Sequence, residues 1–421
     1  MIHLKLDNLR RVNCSSFIDD IEQNFENYRQ AIINKGQGWL SLPFDHENRD
    51  IAEDFAQSNG DQYDNIVLLG IGGSSLGPKC LRDCLYNYKK NKTKRFVILD
   101  NIDPDYLTSW SREFNLRKTL FLVVSKSGRT PETISQYLFF RQKILENDLI
   151  VKDHFVFITD PIEGYLRTVS QKEGIVAFDI PSNVGGRFSV LSNVGLVIAE
   201  FMGIDTKALL CGGQAGIEAF KNSPNGKGCY AYQLALNQYN LAESGHNINI
   251  IIPYSSRLKI FGDWYTQLLS ESIGKKLDRN GNIVHTGITP HAALGVTDQH
   301  SQLQLFKDGP CDKLIIFIEV MNFESSINIP AVDDELSLYL SGVGFDDLLK
   351  AELAGTKLSL TESGKPNLSV VVDKVDAYNL GELFVLFELA TAFLGELYNI
   401  NAFDQPGVER SKTLTKEILE G

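Results

Sequence analysis

Short, nearly continuous apolar runs alternate with stretches of helical periodicity over most of the chain, and the runs fall into two series. Residues 66–69, 96–99, 120–124, 155–158 and 175–178 form the first series, and 247–253, 313–320 and 368–373 form the second. Strands that are apolar at successive positions, rather than at alternate ones, are covered on both faces, as in parallel sheets flanked by helices. The pattern therefore predicts an α/β chain with two doubly wound, mainly parallel-sheet domains, at residues 61–204 and 246–374. Helical segments are expected at 1–60, where "FIDDIEQNFENYRQAII" has helical spacing, at 205–245 around the loop "NSPNGKGC", and at 375–421. The longest apolar stretch, 383–394, is interrupted by Glu388 and is too short to span a bilayer, so it reads as a buried core helix.

At 421 residues the chain is long enough for two or three domains with a well-buried core. The first twenty residues lack a sustained apolar stretch and do not read as a signal peptide. Six scattered cysteines (Cys14, Cys80, Cys84, Cys211, Cys229, Cys311) have no paired metal spacing, which points to reduced thiols in the cytoplasm. Cys80 and Cys84 lie one helical turn apart and read as core residues. A net charge of −12, with no basic tract, argues against nucleic acid and anionic membranes as partners. An anionic ligand would need a local pocket of amides and basic groups.

Strand-to-helix turns are where such folds place ligands. The first, "VLLGIGGSSLGPK" (67–79), is glycine-rich, as expected where backbone approaches a phosphate. It has Ser75 where a dinucleotide fingerprint has its third glycine. Asp100 comes some thirty residues after Gly70, beyond the offset of about 20 for a ribose-binding acid. A Walker Gly-Lys-Ser/Thr is lacking as well, and a tight turn without any ligand stays open for this loop alone. The second turn, "VVSKSGRTPET" (123–133), places Ser125, Ser127 and Thr130 after a strand end. Thr130 is a natural N-cap and Pro131 suits the first helical position. Capping accounts for those two residues but not for Ser125, Lys126 and Ser127. Two polar helix N-termini at one sheet edge suit a phosphate monoester.

Four further segments carry more polar chemistry than packing requires. In "NVGGRFSVLSNVG" (183–195), Arg187 follows two glycines, either as a surface arginine at a helix start or facing a developing negative charge. In "DWYTQLLSESIGKK" (263–276), Gln267 and Glu271 share one helix face. Glu271 sits near a helix C-terminus, mismatched with the dipole, either as a base or as a solvated partner of Lys275. In "GVTDQHSQLQL" (295–305), His300 is expected to start a helix after a polar turn. Its intervals from His285 and His291 fit no compact metal motif. "INAFDQPGVERSK" (400–412) sets Gln405, Glu409 and Lys412 around a helix beginning near Pro406, with Arg410 solvated.

The turn Ser125-Lys126-Ser127-Gly128-Arg129-Thr130 resembles the Ser-x-Ser-Gly-x-Thr turn of sugar isomerase domains. Taken together the segments resemble the phosphoglucose isomerase family. They are Gly70-Ile71-Gly72-Gly73-Ser74, the Ser125–Thr130 turn, Gly186-Arg187-Phe188-Ser189, Glu271-Ser272-Ile273-Gly274-Lys275, Gln299-His300-Ser301 and Phe403 through Glu409. All occur in the family's order, from residue 70 to 412, in a chain like the shorter bacterial form. The resemblance implies reversible isomerisation of glucose 6-phosphate and fructose 6-phosphate, with a proton moved between C2 and C1 through an enediolate. It assigns phosphate holding to Gly73, Ser74, Ser125, Lys126, Ser127 and Thr130, and further substrate contacts to Gln267 and Gln405. It makes Glu271 the base, Arg187 the group facing the enediolate, and His300 with Lys412 the pair that opens the ring. It further implies no metal or organic cofactor, and a homodimer in which the histidine is shared across subunits. A phosphate sensor without catalysis would have no use for Glu271, His300 and Lys412 in register. Whether mannose 6-phosphate is also accepted stays open, because pocket shape decides C2 stereochemistry. Gly128-Arg129, Ile273, Ala402 and Arg410-Ser411 depart from common family residues without removing a chemical group that the reaction uses.

Overall fold

A computed structural model describes residues 2–11, 24–86, 94–331, 333–335 and 337–421 of the chain. Twelve strands form among them: β1 (His3–Lys5), β2 (Asn65–Leu69), β3 (Arg95–Leu99), β4 (Thr119–Val124), β5 (Phe155–Thr159), β6 (Val176–Asp179), β7 (Ile248–Pro253), β8 (Lys275–Leu277), β9 (Ile283–Thr286), β10 (Thr289–Ala292), β11 (Lys313–Val320) and β12 (Asn367–Val372). Every apolar run of the sequence is one of these strands, within a residue or so at each end. Cys14 and the start of the 17–33 helical pattern lie outside the described residues. The helix described there is Phe25–Asn34.

The chain divides into two compact units, each discontinuous in sequence. One consists of Lys35–Glu218 and Asp376–Phe384, and the other of Ala219–Val375, Val385–Gly421 and the described part of the first 34 residues. The expected helical segments 1–60, 205–245 and 375–421 are thus each divided between the two units.

The unit beginning at Lys35 is built on the parallel sheet β3-β2-β4-β5-β6. Every position of β2, β4 and β5 is buried, which is why their sequences show no polar alternation. Phe121 stacks on Phe140 at 4.6 Å and on Phe155 at 5.2 Å, and Tyr137 meets Phe155 edge-on at 5.1 Å. Each such pair is worth about 0.5–1.5 kcal/mol beyond the apolar area it buries. The chain passes from β2 to β3 on one side, then returns to β4 on the other. Strand order therefore reverses between β2 and β4, the place where open α/β sheets bind ligands.

The other unit has the sheet β1-β12-β11-β7-β10, in which only the edge strand β1 is antiparallel. Order reverses here between β7 and β11. The sequence pattern missed β1, β10 and the β8–β9 hairpin because none of them is an apolar run. β10, "TPHA", contains Pro290, which an edge strand tolerates because one side of its backbone has no partner.

The apolar stretch 383–394 lies within the helix Ala377–Leu397, and no described helix is long and apolar enough to cross a membrane. Glu388 is 2% exposed, and its Oε1 has no hydrogen-bond partner among the described residues. Burial pushes its carboxyl well above the usual carboxylate range. A carboxyl raised in the folded state contributes stability that is complete below its unfolded pKa. That stability is lost as the pH climbs towards the folded value. Glu388→Gln, which does not titrate, is therefore expected to gain in melting temperature relative to wild type between pH 4 and pH 8. Thermal melts at both pH values check this, and an equal difference at both would show that folding leaves the carboxyl's pKa unshifted.

Candidate active site

β2 and β4 are neighbours in the sheet, and both polar turns leave from the same edge. The first leads into the helix Gly73–Leu85. A Cβ on Gly73 would lie 2.3 Å from both the carbonyl carbon and the oxygen of Gly186, and 2.7 Å from the nitrogen of Arg187. Only glycine fits, so this loop is packed backbone against backbone on the segment that carries Arg187. Ser74 is half-buried in the first turn of the helix, and Ser75 donates its hydroxyl to the Gly72 carbonyl at 3.1 Å.

The second turn precedes the helix Pro131–Glu146, with Pro131 at its first position. Thr130 occupies the N-cap position, but its side chain makes no capping bond, contrary to the expectation. Its hydroxyl instead lies 2.9 Å from that of buried Ser125. The main-chain N–H of Arg129 donates to Ser127 Oγ at 3.2 Å, and the Arg129 side chain is exposed. Gly128 has φ +61°, and a Cβ there would press on Thr159 and the Tyr165 backbone, which explains why this turn lacks a bulky residue. Lys126 donates its ammonium to the Ser182 carbonyl at 2.6 Å. Burial lowers its pKa, and the Asp160 carboxylate opposes that shift.

Arg187 lies in the short 3₁₀ turn Gly186–Phe188 and is 3% exposed, so the surface-arginine alternative does not hold. Trp39 stacks on Phe188 at 5.3 Å, and Ser189 Oγ donates to the Gly186 carbonyl at 2.6 Å, which fixes the turn from both sides.

In the other unit, Glu271 is in the last turn of the helix Lys259–Ile273. Gln267 Nε2 donates to its Oε1 at 3.1 Å, across the shared helix face. Lys275 engages the backbone of the same residue, its ammonium donating to the main-chain carbonyl of Glu271 at 2.7 Å. The same ammonium donates to the Asp404 carbonyl at 2.9 Å. Gln405 follows, exposed, at the N-cap of the 3₁₀ turn Pro406–Val408. Lys412 is exposed on the helix Glu409–Glu420 and pairs with Glu409 at 2.8 Å. Arg410 is exposed as well and pairs with Glu417 at 3.3 Å.

His300 ends the 3₁₀ turn Thr297–His300 instead of starting a helix, and the next helix begins at Leu303. Polar residues after a strand do not distinguish these two cases. The turn is held by Asp298, whose carboxylate accepts from the Leu294 N–H at 2.8 Å and the Ser301 hydroxyl at 2.7 Å. It is also held by Gln299, which accepts from the Tyr254 hydroxyl and donates to Glu352 at 3.1 Å. Sequence reading gave no role to Asp298, Tyr254 or Glu352, and only their contacts reveal one. A Cβ on Gly262 would lie 2.8 Å from that of Ala292, the last residue of β10, so the chain enters this turn near Lys259, the start of the Lys259–Ile273 helix. Glu271 lies twelve residues further along that helix, about 18 Å at the α-helical rise. Within this unit, then, the structure brings together Gln267, Glu271 and the start of the Asp404 turn, and no described contact joins His300 to them. His285 is exposed, and His291 bonds Gln302 at 2.6 Å. Among the described residues no three acidic, cysteine or histidine side chains are grouped as a metal site.

The sequence profile of the phosphoglucose isomerase family matches residues 47–421. A glucose-6-phosphate isomerase from Carboxydothermus hydrogenoformans is 38% identical over 95% of this chain and 90% of its own length. One from Thermus thermophilus is 38% identical over 93% of this chain and 94% of its own. Among solved structures, a hypothetical protein from Thermus thermophilus is similar over the full length of both chains, with TM-score 0.92 and 37% identity. A glucose-6-phosphate isomerase from Chlamydia trachomatis is similar at TM-score 0.80 and 27% identity, over 89% of this chain and 73% of that one.

Proposed function

Because the chain belongs to the phosphoglucose isomerase family and is an isomerase of glucose 6-phosphate and fructose 6-phosphate, we propose specific roles for its polar residues in that reaction. Ser74, Ser125, Ser127 and Thr130 hold the phosphate with their hydroxyls, on helix N-termini whose dipoles favour an anion. Gly73 keeps the backbone close enough to take part, and Lys126 adds positive charge beside the turn. Gln267 and Gln405 contact the sugar.

Ring opening removes a proton from the anomeric hydroxyl and delivers one to the ring oxygen as the carbon–oxygen bond breaks. His300 and Lys412 move these protons. Glu271 then takes the proton at C2, the C–H pair becomes the C1=C2 bond, and the carbonyl π pair moves onto O1 to give the enediolate. A proton then passes from O2 to O1, and return of the carboxyl proton to C1, as the C1=C2 pair takes it up and C2=O2 forms, completes the aldose-to-ketose change. Arg187 stabilises the enediolate more than the neutral carbonyl, which is how a fixed charge lowers a barrier. The observation that carries this reading is the Gln267 amide on the Glu271 carboxylate, which orients the base while Lys275 engages the main chain. No step in this scheme calls for a metal or an organic cofactor. Among the described residues Cys80, Cys84, Cys211, Cys229 and Cys311 are in the thiol form, which supports a reducing, cytoplasmic setting.

The distance along the Lys259–Ile273 helix also supports a homodimer. A base at C2 and a proton donor at the ring oxygen act on one sugar ring, yet the chain enters the His300 turn beside Gly262, near the start of this helix, while Glu271 is in its last turn. His300 therefore serves the site of a second copy. If so, refolding an equimolar mixture of inactive His300→Ala and Glu271→Gln chains should restore about a quarter of wild-type activity, since half the dimers are mixed and each has one intact site. Activity no higher than that of the separate variants would place His300 and Glu271 in the same chain's site.

A further inference from the structure

The helix that carries Lys412, Glu409–Glu420, has no buried residue, and Lys412 itself pairs only locally with Glu409 among the contacts described. With no residue of that helix buried, its position leans on the chain that leads into it. That chain is the turn around Asp404 and Gln405. Asn401 knits the turn locally, donating to the Asp404 carboxylate at 2.8 Å and accepting from the Phe403 N–H at 3.1 Å.

Lys275 reaches this turn from 129 residues away in sequence. Its side chain is 5% exposed. The ammonium donates to the Glu271 carbonyl at 2.7 Å and the Asp404 carbonyl at 2.9 Å, and stands 3.6 Å from the Asp404 carboxylate. A buried ammonium is costly unless oxygens surround it, and this one is met by three oxygens from two separate segments. A neutral apolar side chain would leave both carbonyls without this donor. We propose that Lys275 is a positioning residue. It fixes the Asp404–Gln405 turn, and through it the start of the helix bearing Lys412, against the end of the helix bearing Glu271. This rests on the reading above, in which Lys412 assists ring opening and Glu271 moves the proton.

Loosening the turn then harms ring opening more than proton transfer, and two substrates separate these steps. Fructose 6-phosphate is mainly a closed furanose. 5-Deoxyfructose 6-phosphate has no O5, cannot close that ring, and needs only proton transfer. Both exchange a C1 proton for deuterium in heavy water, which proton NMR follows directly. Lys275→Met is expected to slow exchange on fructose 6-phosphate by about 10²-fold while staying within about threefold of wild type on the open-chain analogue. Lys412→Ala should show the same selectivity. If it shows none, the role given to Lys412 fails, and the proposal fails with it. If Lys412→Ala is selective while Lys275→Met slows both substrates alike or neither, the proposal alone is overturned.

Arg279 supplies the structural control. It holds Glu396 through two bonds of 2.7 Å and makes no described bond to the Asp404 turn, though it braces the same stretch of chain through Gly395 and Asn399. Arg279→Met should lower the melting temperature without substrate selectivity. Selectivity equal to that of Lys275→Met would mean that any loosening of this region suffices, and would overturn the specific role of Lys275. If Lys275→Met does not fold, Lys275→Gln, which keeps an amide donor of shorter reach, carries the same comparison.

Discussion

Glu271→Gln is expected to lower kcat by roughly 10²–10⁴-fold, the usual worth of a positioned general base, while substrate binding is retained. The two side chains have nearly the same shape, and the amide oxygen still accepts from Gln267 Nε2 as the carboxylate does. Lys275 binds the main-chain carbonyl of residue 271, so its contact survives the change. What the variant loses is the ability to take a proton from C2. The proposed phosphate contacts lie on other helix N-termini, those of Gly73–Leu85 and Pro131–Glu146, and are untouched by this change. A coupled assay of fructose 6-phosphate turnover measures the loss, and equilibrium titration with a non-reacting sugar phosphate measures the retained affinity. Turnover within tenfold of wild type would remove Glu271 as the base. Lost affinity at normal kcat would make it a binding residue instead.

The same helix end shows where sequence spacing stops being informative. Glu271 and Lys275 are four apart, which on a continuous helix predicts a side-chain ion pair in solvent. The helix ends at Ile273, however, and Gly274 turns the chain to ψ 93°, so Lys275 opens β8 and is no longer on the helix face. Its ammonium is buried there on two main-chain carbonyls, those of Glu271 and Asp404. Thr130 makes a similar point. Its type and place announce an N-cap, and it stands at that position, but its hydroxyl is used by Ser125. Residue type was legible in the sequence, and partner choice was not, because partners come from the neighbouring strand and turn.

At the level of the fold, the continuous apolar runs located both parallel sheets because burial on two faces leaves a direct compositional mark. The edge strands β1 and β10 bury one face or less and leave little mark, as their exposed and half-exposed residues show. The two units cross the sequence boundaries for a related reason. Periodicity reports what an element is, while the partner it packs on is set by long-range contacts.

Arg187→Ala is expected to lower kcat by about 10²–10³-fold with KM changed far less, the cost of removing one preorganised group from a developing oxyanion. The guanidinium is nearly sealed from solvent, and charges act more strongly where water is excluded. Its place is set by the Gly186–Phe188 turn, which lies against Gly73 with no room for a side chain between them. On the proposed role, the charge is thus in position before substrate arrives, and no reorganisation is needed as the enediolate forms. Arg187→Lys should recover only part of the loss, because a compact ammonium on a different stem does not reproduce the planar fork. A loss of packing alone would also reduce activity, so the deciding measurement is chemical rescue. Guanidinium ion, at concentrations that leave the melting temperature unchanged, should restore part of the kcat of Arg187→Ala and none of that of Glu271→Gln. Equal rescue of both variants, or none of either, would assign Arg187 to the scaffold of the loop and not to the charge that meets the enediolate.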